Sequence, residues 1–305
     1  MELIKYGLHQ VELDVTEGCN LHCEFCGLAG MKRGLHFMST ETVQKMCSLL
    51  KSAGVFPRMH LIGHGEPTLN PDLMEIISLI KRELPKSKIT MTTNGFSILR
   101  AEKPEKRIEE YFAAGLDTLT IDEYLHNDLS ALKNYLNEVG VRYSENVTDS
   151  FAKAERLRIN PPIETNDHRA LSCRCGAAFP PPKTPAEMKC SKIFRELSIR
   201  WDGNIGLCCE DFRGEYGIMN IHEANCLAEV WNHPRLESAR KFLYRGSRFF
   251  HPCSSCNVRP NRPGLLPDWM GKGTVEEPKS LDREIVVYKT EPLSEIVRRE
   301  YEHCD

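Results

Sequence analysis

Apolar residues recur with two different periods along the chain, and the alternation between them is regular up to about residue 160. In Gln10-Val-Glu-Leu-Asp-Val-Thr16 apolar and polar positions alternate, the two-residue repeat of a strand with one buried face. Val43-Gln-Lys-Met-Cys-Ser-Leu-Leu50 places its apolar residues on one helical face, and Ser39-Thr-Glu-Thr before it supplies a capping residue. Met59–Gly63 reads as a short buried strand, and Asn70-Pro-Asp-Leu-Met opens the next helix with proline in its first turn. The pattern continues with a strand over Lys88–Thr92, a helix over Pro104–Ala114, a strand over Asp117–Ile121 and a helix over Leu129–Val139. Strand-like segments follow at Gly140–Ser144 and Arg156–Asn160, with too little chain after the former for a full final helix. Strands alternating with helices predict an α/β fold with a parallel sheet and right-handed crossovers. Six strands suit a partial (β/α)6 barrel, with chemistry at the carboxyl ends of the strands.

Near Asn160 the text changes. Pro161, Pro162, Pro180, Pro181, Pro182 and Pro185 cannot lie in regular helix. Beyond them the chain is rich in turns, and Trp201-Asp-Gly-Asn204 predicts a hairpin between Leu197–Arg200 and Ile205–Cys208. Three regions are therefore expected: a barrel over 1–165, a small α+β domain over 166–260 and a polar tail over 261–305.

Composition narrows the class. Of 305 residues 41% are hydrophobic and 27% charged, which excludes disorder and collagen-like repeats. Forty Lys+Arg against forty-three Asp+Glu give a net charge of −3, so no broad nucleic-acid footprint is expected. The longest apolar stretches, such as Met74–Ile80, are too short to cross a bilayer, and Met1–Gly7 lacks the apolar core of a signal peptide. A soluble, cytoplasmic protein is expected, with no membrane and no nucleic-acid partner.

Thirteen cysteines change that plain picture. In a reducing compartment they point to metal ligation more than to disulfides. Nine fall in clusters: Cys19/Cys23/Cys26, Cys173/Cys175, Cys208/Cys209 and Cys253/Cys256. Cys47 lies on a predicted helix and reads as core, while Cys226 and Cys304 carry no assigned role. Cys19-Asn-Leu-His-Cys23-Glu-Phe-Cys26 follows directly on a predicted strand. Three thiolates on one loop suit an iron–sulfur cluster with one open iron; a zinc loop borrowing His22 or His36 is the competing reading.

This spacing, with aromatic Phe25 before the third cysteine, resembles the signature of the radical S-adenosylmethionine (radical SAM) superfamily. His64-Gly65-Glu66-Pro67 looks like that family's Gly-Gly-Glu-Pro motif, which receives the methionine amino group, with His64 in place of the first glycine. Thr92-Thr93-Asn94-Gly95 is similar to the segment near the ribose and methionine, and Asp122 at the end of the fourth strand is a third polar contact. The resemblance covers about residues 8–160. It implies a [4Fe-4S] cluster on Cys19, Cys23 and Cys26, with S-adenosylmethionine chelating its open iron and Glu66 accepting the ammonium as a charge-assisted pair. A low-potential cluster would then cleave the sulfonium to a 5′-deoxyadenosyl radical.

Cys190, Cys208, Cys253 and Cys256 form C-x17-C-x44-C-x2-C, enough thiolates to saturate a zinc ion or a four-iron cluster. The surrounding text resembles the abbreviated SPASM domain, called twitch, which carries one auxiliary [4Fe-4S] cluster. Its spacing is particularly similar to that of the butirosin-pathway dehydrogenase, which oxidises an aminocyclitol alcohol. That resemblance implies two [4Fe-4S] clusters in all, and an arginine before the first auxiliary cysteine that contacts substrate or accepts its proton, here Arg174. Cys209 competes with Cys208 as the ligand, and Cys173 and Cys175 could bind metal, donate hydrogen or be loop residues.

A thiolate-saturated auxiliary cluster has no open iron and would serve as an electron acceptor. The expected activity is therefore hydrogen abstraction and dehydrogenation of a small polar substrate, fed by an external donor such as flavodoxin or ferredoxin. The competing readings are a radical SAM peptide maturase forming thioethers or crosslinks, and a non-catalytic zinc-binding module.

Overall fold

A computed structural model of the protein describes residues 7–29, 31, 34–124, 128–145, 156–161, 172–184 and 187–258. The expected tail over 261–305, with Cys304, lies outside the described residues, as do Pro162 and Pro185. The elements run β1 (Gln10–Leu13), β2 (Thr16–Glu17), β3 (His36–Phe37), α1 (Thr40–Ser52), β4 (Arg58–Leu61), α2 (Leu73–Glu83), β5 (Ile89–Thr93) and α3 (Phe96–Leu99). They continue with α4 (Pro104–Ala114), β6 (Thr118–Asp122), α5 (Ser130–Glu138), β7 (Leu157–Asn160), β8 (Glu196–Ile199), β9 (Ile205–Gly206), α6 (Leu227–Trp231) and α7 (Pro234–Tyr244).

One seven-stranded sheet has the order β7-β6-β5-β4-β1-β8-β9, parallel except for the β8–β9 hairpin. Alternation along each strand divides its two faces. Val11, Leu13, Met59, Leu61, Ile89, Met91, Leu119, Ile121, Leu157 and Ile159 enter one core with the apolar faces of α1, α2, α4 and α5. Each such side chain taken fully from water contributes roughly 1.5–3 kcal/mol. The alternate positions, among them Glu12, His60, Thr90, Thr92, Thr120, Arg158 and Asn160, line a polar cavity of about 670 Å³. The fold thus keeps its helices on an apolar face and turns a hydrophilic one toward the interior of the partial barrel.

Several local expectations hold. Ser39 caps α1, its hydroxyl accepting from the Thr42 N–H at 3.3 Å, and α4 starts on Pro104. The predicted hairpin forms with Ile199 opposite Ile205, closed by Gly203 at φ +82°. Two expectations need correction. Pro71 lies outside α2, because the Asn70 side chain accepts from the Asp72 N–H at 2.9 Å and donates to the Val15 carbonyl at 2.7 Å, so the helix begins only after Asp72. Gly140–Ser144 is not a strand. After the left-handed turn at Gly140 (φ +76°) the segment meets the sheet at one residue, a bridge from Ser144 to Arg158.

On the other side of β1 the sheet gains a strand from the second region. β8 pairs with β1 in parallel, Gln10 opposite Glu196 through Leu13 opposite Ile199. Side chains reinforce the joint: Glu17 accepts from Arg200 at 2.7 Å and from the Trp201 indole at 3.2 Å. The Trp201 ring stacks on His36, with centroids 4.4 Å apart, and His222 meets the Thr42 hydroxyl at 3.1 Å. The loop carrying the first cysteines is thereby tied to the region carrying the later ones.

Candidate active site

β2 delivers the chain to Gly18, which bridges Gly65: the Gly18 N–H donates to the His64 carbonyl and the Glu66 N–H to the Gly18 carbonyl, both at 3.0 Å. A Cβ on Gly65 would lie 2.3 Å from the Thr16 oxygen and 2.5 Å from that of Gly18, so only glycine fits. Cys19, Cys23 and Cys26 follow on a turn-rich loop, where the Leu21 N–H points at the Cys19 sulfur at 3.3 Å. Burial raises all three thiols; Cys23 goes to about 11, with Cys26 and Cys19 adding to the rise. Three sulfurs that resist ionisation together suit a site whose positive charge comes from bound metal. Three thiols on one loop fit an iron–sulfur cluster that keeps one iron open; among the described residues another group of ligating atoms, from Glu12, Glu196 and Cys209, lies together elsewhere.

The motif residues converge on this loop. Glu66 is buried, and its Oε1 accepts from the Thr68 N–H at 3.1 Å, the Thr68 hydroxyl at 2.7 Å and the Thr93 hydroxyl at 2.5 Å. Its Oε2 accepts from the Asn94 N–H at 2.8 Å. Four hydrogen bonds are about the capacity of a carboxylate. Glu66 therefore clamps the loops after β4 and β5 together, and the expected ammonium would have to replace one of these donors. Burial raises its pKa, and the hydrogen bonds from Asn94, Thr93 and Thr68 oppose that rise. The Asn94 amide donates to Asn20 Oδ1 at 2.9 Å and reaches the Cys19 sulfur at 3.7 Å. Pro67 opens a short 3₁₀ turn capped by Glu66. Asp122 takes hydrogen bonds from Asn160 at 2.7 Å and Tyr124 at 3.1 Å, and the Tyr124 ring lies 5.5 Å from that of Phe25. Asp122 thus meets the cysteine loop through Tyr124 and Phe25.

His64, the departure from the motif, is fully buried; its Nδ1 pairs with Asp14 and its ring meets the Phe212 ring edge-on, with centroids 4.3 Å apart. Phe212 also crowds Gly27, where a Cβ would lie 2.4 Å from the ring, and carries the Arg174 guanidinium 5.3 Å from its centroid. One aromatic ring from the second region therefore touches the cysteine loop, the motif and Arg174. Arg174 pairs with Glu210 at 3.1 Å, and Ser172 donates to Glu210 at 2.6 Å. Burial opposes the charge of Arg174, but Glu210, with Cys209 and Cys26, holds its pKa above the ordinary value. Burial likewise raises Glu210, and Arg174, Lys192 and Ser172 more than reverse that, so it stays ionised.

Cys175, Cys190, Cys208, Cys253 and Cys256 line one small cavity, beside Glu210 and Arg248. Arg248 closes it, donating to the Met188 carbonyl at 3.1 Å and the Val258 carbonyl at 2.9 Å. Burial raises Cys190, Cys208 and Cys253. A hydrogen bond from Cys175 brings Cys256 down to about 7. A buried pocket walled by thiols fits a second cluster. Cys208 lines it, whereas Cys209 faces Lys192 at 3.3 Å and approaches Glu12 and Glu196. Cys47 is buried in the core, and Cys226 is exposed. Glu210, Phe212, Lys192 and Asp14 went unmarked in the sequence. Glu210 directly follows the Cys208-Cys209 pair and Phe212 lies two residues further on, but no spacing rule singles out an acid or a phenylalanine there.

Comparison with known proteins agrees with this geometry. The profile of the Radical SAM superfamily matches residues 13–167, and that of the SPASM iron-sulfur cluster-binding domain matches residues 190–257. The GTP 3',8-cyclase of Tolumonas auensis is 30% identical over 275 residues, 85% of this chain and 76% of that protein. The GTP 3',8-cyclase of Paenarthrobacter nicotinovorans is 30% identical over 133 residues, 41% of this chain but only 35% of its own length. The probable GTP 3',8-cyclase of Sulfolobus acidocaldarius is 28% identical over 154 residues, 50% of this chain and 45% of its own. The fold is that of BtrN in its crystal structure with AdoMet and 2-DOIA: TM-score 0.65, 21% identity, 82% of this chain and 93% of that one. No helix of the described residues is long and apolar enough to cross a membrane. Motif, fold and profile agree: the chain belongs to the radical SAM superfamily, carries an iron–sulfur cluster-binding SPASM domain, and takes S-adenosylmethionine and [4Fe-4S] clusters as its cofactors.

Proposed function

We propose that the protein dehydrogenates a small, polar, hydroxylated molecule, with Cys190, Cys208, Cys253 and Cys256 holding an auxiliary cluster that accepts the second electron. The observation that carries this reading is the enclosure of one buried cavity by these four sulfurs, with Cys175, directly beside the Arg174–Glu210 pair. Cys19, Cys23 and Cys26 would hold the cluster to which S-adenosylmethionine binds, and together these cofactors would supply hydrogen-atom abstraction from carbon. Gly65, Glu66, Pro67, Thr93 and Asn94 form the cradle beside that loop, and Asp122 with Phe25 flanks it.

The polar wall of the barrel cavity, with Glu12, His60, Thr92 and Asn160, suits a substrate rich in hydroxyl or amino groups. Removing a hydrogen atom from carbon leaves one proton and one electron to be lost before a carbonyl forms. Arg174, held charged by Glu210, would serve as a hydrogen-bond donor to the substrate oxygen, and the Glu210 carboxylate paired with it would take the proton. Cys190, Cys208, Cys253 and Cys256 in the neighbouring cavity would hold the cluster that accepts the electron. Flavodoxin or ferredoxin would supply the initial electron.

The test is anaerobic incubation with dithionite, S-adenosylmethionine and a panel of polyhydroxylated amines and alcohols. A ketone formed with stoichiometric 5′-deoxyadenosine supports the reading. Cys19→Ala should abolish deoxyadenosine, whereas Cys253→Ala should keep some deoxyadenosine and lose the ketone. A second reading, ring closure within a purine nucleotide, is favoured by the 275-residue similarity to the T. auensis cyclase. Consumption of GTP to a cyclised product, with no alcohol oxidised, would replace the first reading with the second.

A further inference from the structure

We propose that Asn257 and Cys173 are positioning residues that tie Arg174 to the loop carrying two ligands of the auxiliary cluster, so that one loop both holds the cluster and places the arginine. This rests on the reading of Cys253 and Cys256 as cluster ligands and of Arg174 as a substrate contact. Two hydrogen bonds make the tie. The Cys173 N–H donates to Asn257 Oδ1 at 2.8 Å, and the Cys173 thiol donates to the Ser255 carbonyl at 3.1 Å. Ser255 and Asn257 stand on either side of Cys256 in the chain, and Cys173 is buried at the joint.

Arg174 needs such a hold. Among the described residues, it and Cys175 are the non-glycine ones with a left-handed backbone, at φ +49° and +51°. Side chains of L-residues take that region at a cost, and keep it where the surrounding structure leaves no alternative. The turn Arg174–Gly176 packs against the turn Cys253–Ser255. Cys173 pins its start, and Arg213 holds its end by donating to the Gly176 carbonyl at 3.2 Å.

Between these two points the twisted backbone sends Arg174 to Glu210 and Cys175 to the thiol-walled cavity. Ser172 completes the arrangement: its hydroxyl accepts from the Arg174 N–H at 3.1 Å and donates to Glu210 at 2.6 Å. The guanidinium is thus fixed through Glu210 at its tip and through the Cys173 joint at its backbone. With the joint cut, the start of the turn is free to relax toward a right-handed backbone, and the guanidinium swings with it. The cysteine loop itself keeps its own bonds, among them the Val258 N–H to the Cys256 sulfur at 3.4 Å and Arg248 to the Val258 carbonyl at 2.9 Å. Cutting the tie should therefore displace the arginine and spare the cluster.

The test is hydrogen exchange, read by mass spectrometry, on the full-length, anaerobically reconstituted protein, with iron counted and with ketone and 5′-deoxyadenosine measured on the panel of polyhydroxylated amines and alcohols. Wild type is compared with Asn257→Leu, which removes the acceptor at nearly the same volume, Asn257→Asp, which keeps it, and Cys173→Ala, which removes the thiol donor. Asn257→Leu should keep the wild-type iron content and deoxyadenosine formation. It should exchange the amides of residues 172–178 roughly tenfold faster and form roughly tenfold less ketone per deoxyadenosine, the loss of one hydrogen bond. Asn257→Asp should restore both, and Cys173→Ala should move both the same way by a smaller factor. Full iron with unchanged exchange in Asn257→Leu would overturn the proposal, as would an Asn257→Asp that behaves like Asn257→Leu. Loss of about four irons from Asn257→Leu would make the residue a support of the cluster and overturn it too. A wild type that forms no ketone, or an Arg174→Ala variant that couples as well as wild type, would instead defeat the reading of the substrate site; the exchange rates need no substrate and decide the tie in that case as well.

Discussion

Two carbonyl oxygens, of Thr16 and Gly18, leave no room for a side chain at residue 65. Gly65→Ala must push apart the bridge that aligns the cysteine loop with the cradle. It should lower stability by about 2 kcal/mol through overpacking and weaken S-adenosylmethionine binding at least tenfold, measured by thermal unfolding and equilibrium dialysis. Tight binding in a variant of normal stability would contradict the role given to the bridge. The residue types of the motif could be read from the chain because their order and spacing are local. The clamp could not, since Thr93 and Asn94 reach Glu66 from another strand and only the folded sheet brings them together. His64 shows the same limit: its partners, Asp14 and Phe212, lie far from it and from each other along the chain.

At the level of elements, alternation and capping were sufficient wherever one face of a segment is buried. β5 and β6 place isoleucine, leucine and methionine on the core side and threonine on the cavity side, so their identity as strands was plain in the sequence. Gly140–Ser144 has a similar alternation but only one bridging residue to answer it. The start of β5 is secured by Asp117, which accepts from the Ile89 N–H at 3.0 Å, from Lys88 at 2.9 Å and from Lys81 at 3.0 Å. Burial tends to raise this carboxyl, but the Ile89 N–H and the two lysines hold it below its ordinary value of 3.8. Because the folded state binds the proton less readily than the unfolded chain, ionised Asp117 stabilises the fold above about pH 4. That contribution disappears as pH falls through the lowered value. Asp117→Asn should therefore cost about 1 kcal/mol at pH 7, and the cost should shrink steadily as pH falls below about 4, as read from urea unfolding of variant and wild type at each pH. A loss that stays the same down the acid range would exclude the ion pairs as its source.

Across the whole molecule, the two cysteine sets are joined by β1–β8 pairing, by Glu17 with Arg200 and Trp201, and by Phe212. Phe212→Ala would open a cavity between Gly27, His64 and Arg174. It should cost about 3 kcal/mol and lower the yield of oxidised product per deoxyadenosine, since Arg174 loses the surface on which it rests. Unchanged coupling would show that the ring serves packing alone. The cysteine spacings made two metal centres readable from the chain, but not the joint between them. β8 adds to the far edge of β1 from some 180 residues downstream, a pairing no local pattern announces.

The central claim is that one chain holds two iron–sulfur clusters of different kinds, and it is tested most directly by anaerobic iron and sulfide analysis with EPR of the dithionite-reduced protein, with and without S-adenosylmethionine. The account predicts about eight irons per chain, one EPR signal shifted by S-adenosylmethionine and a second indifferent to it. About four irons with a single responsive signal would remove the auxiliary acceptor and with it the oxidation; zinc in place of iron would contradict the account entirely.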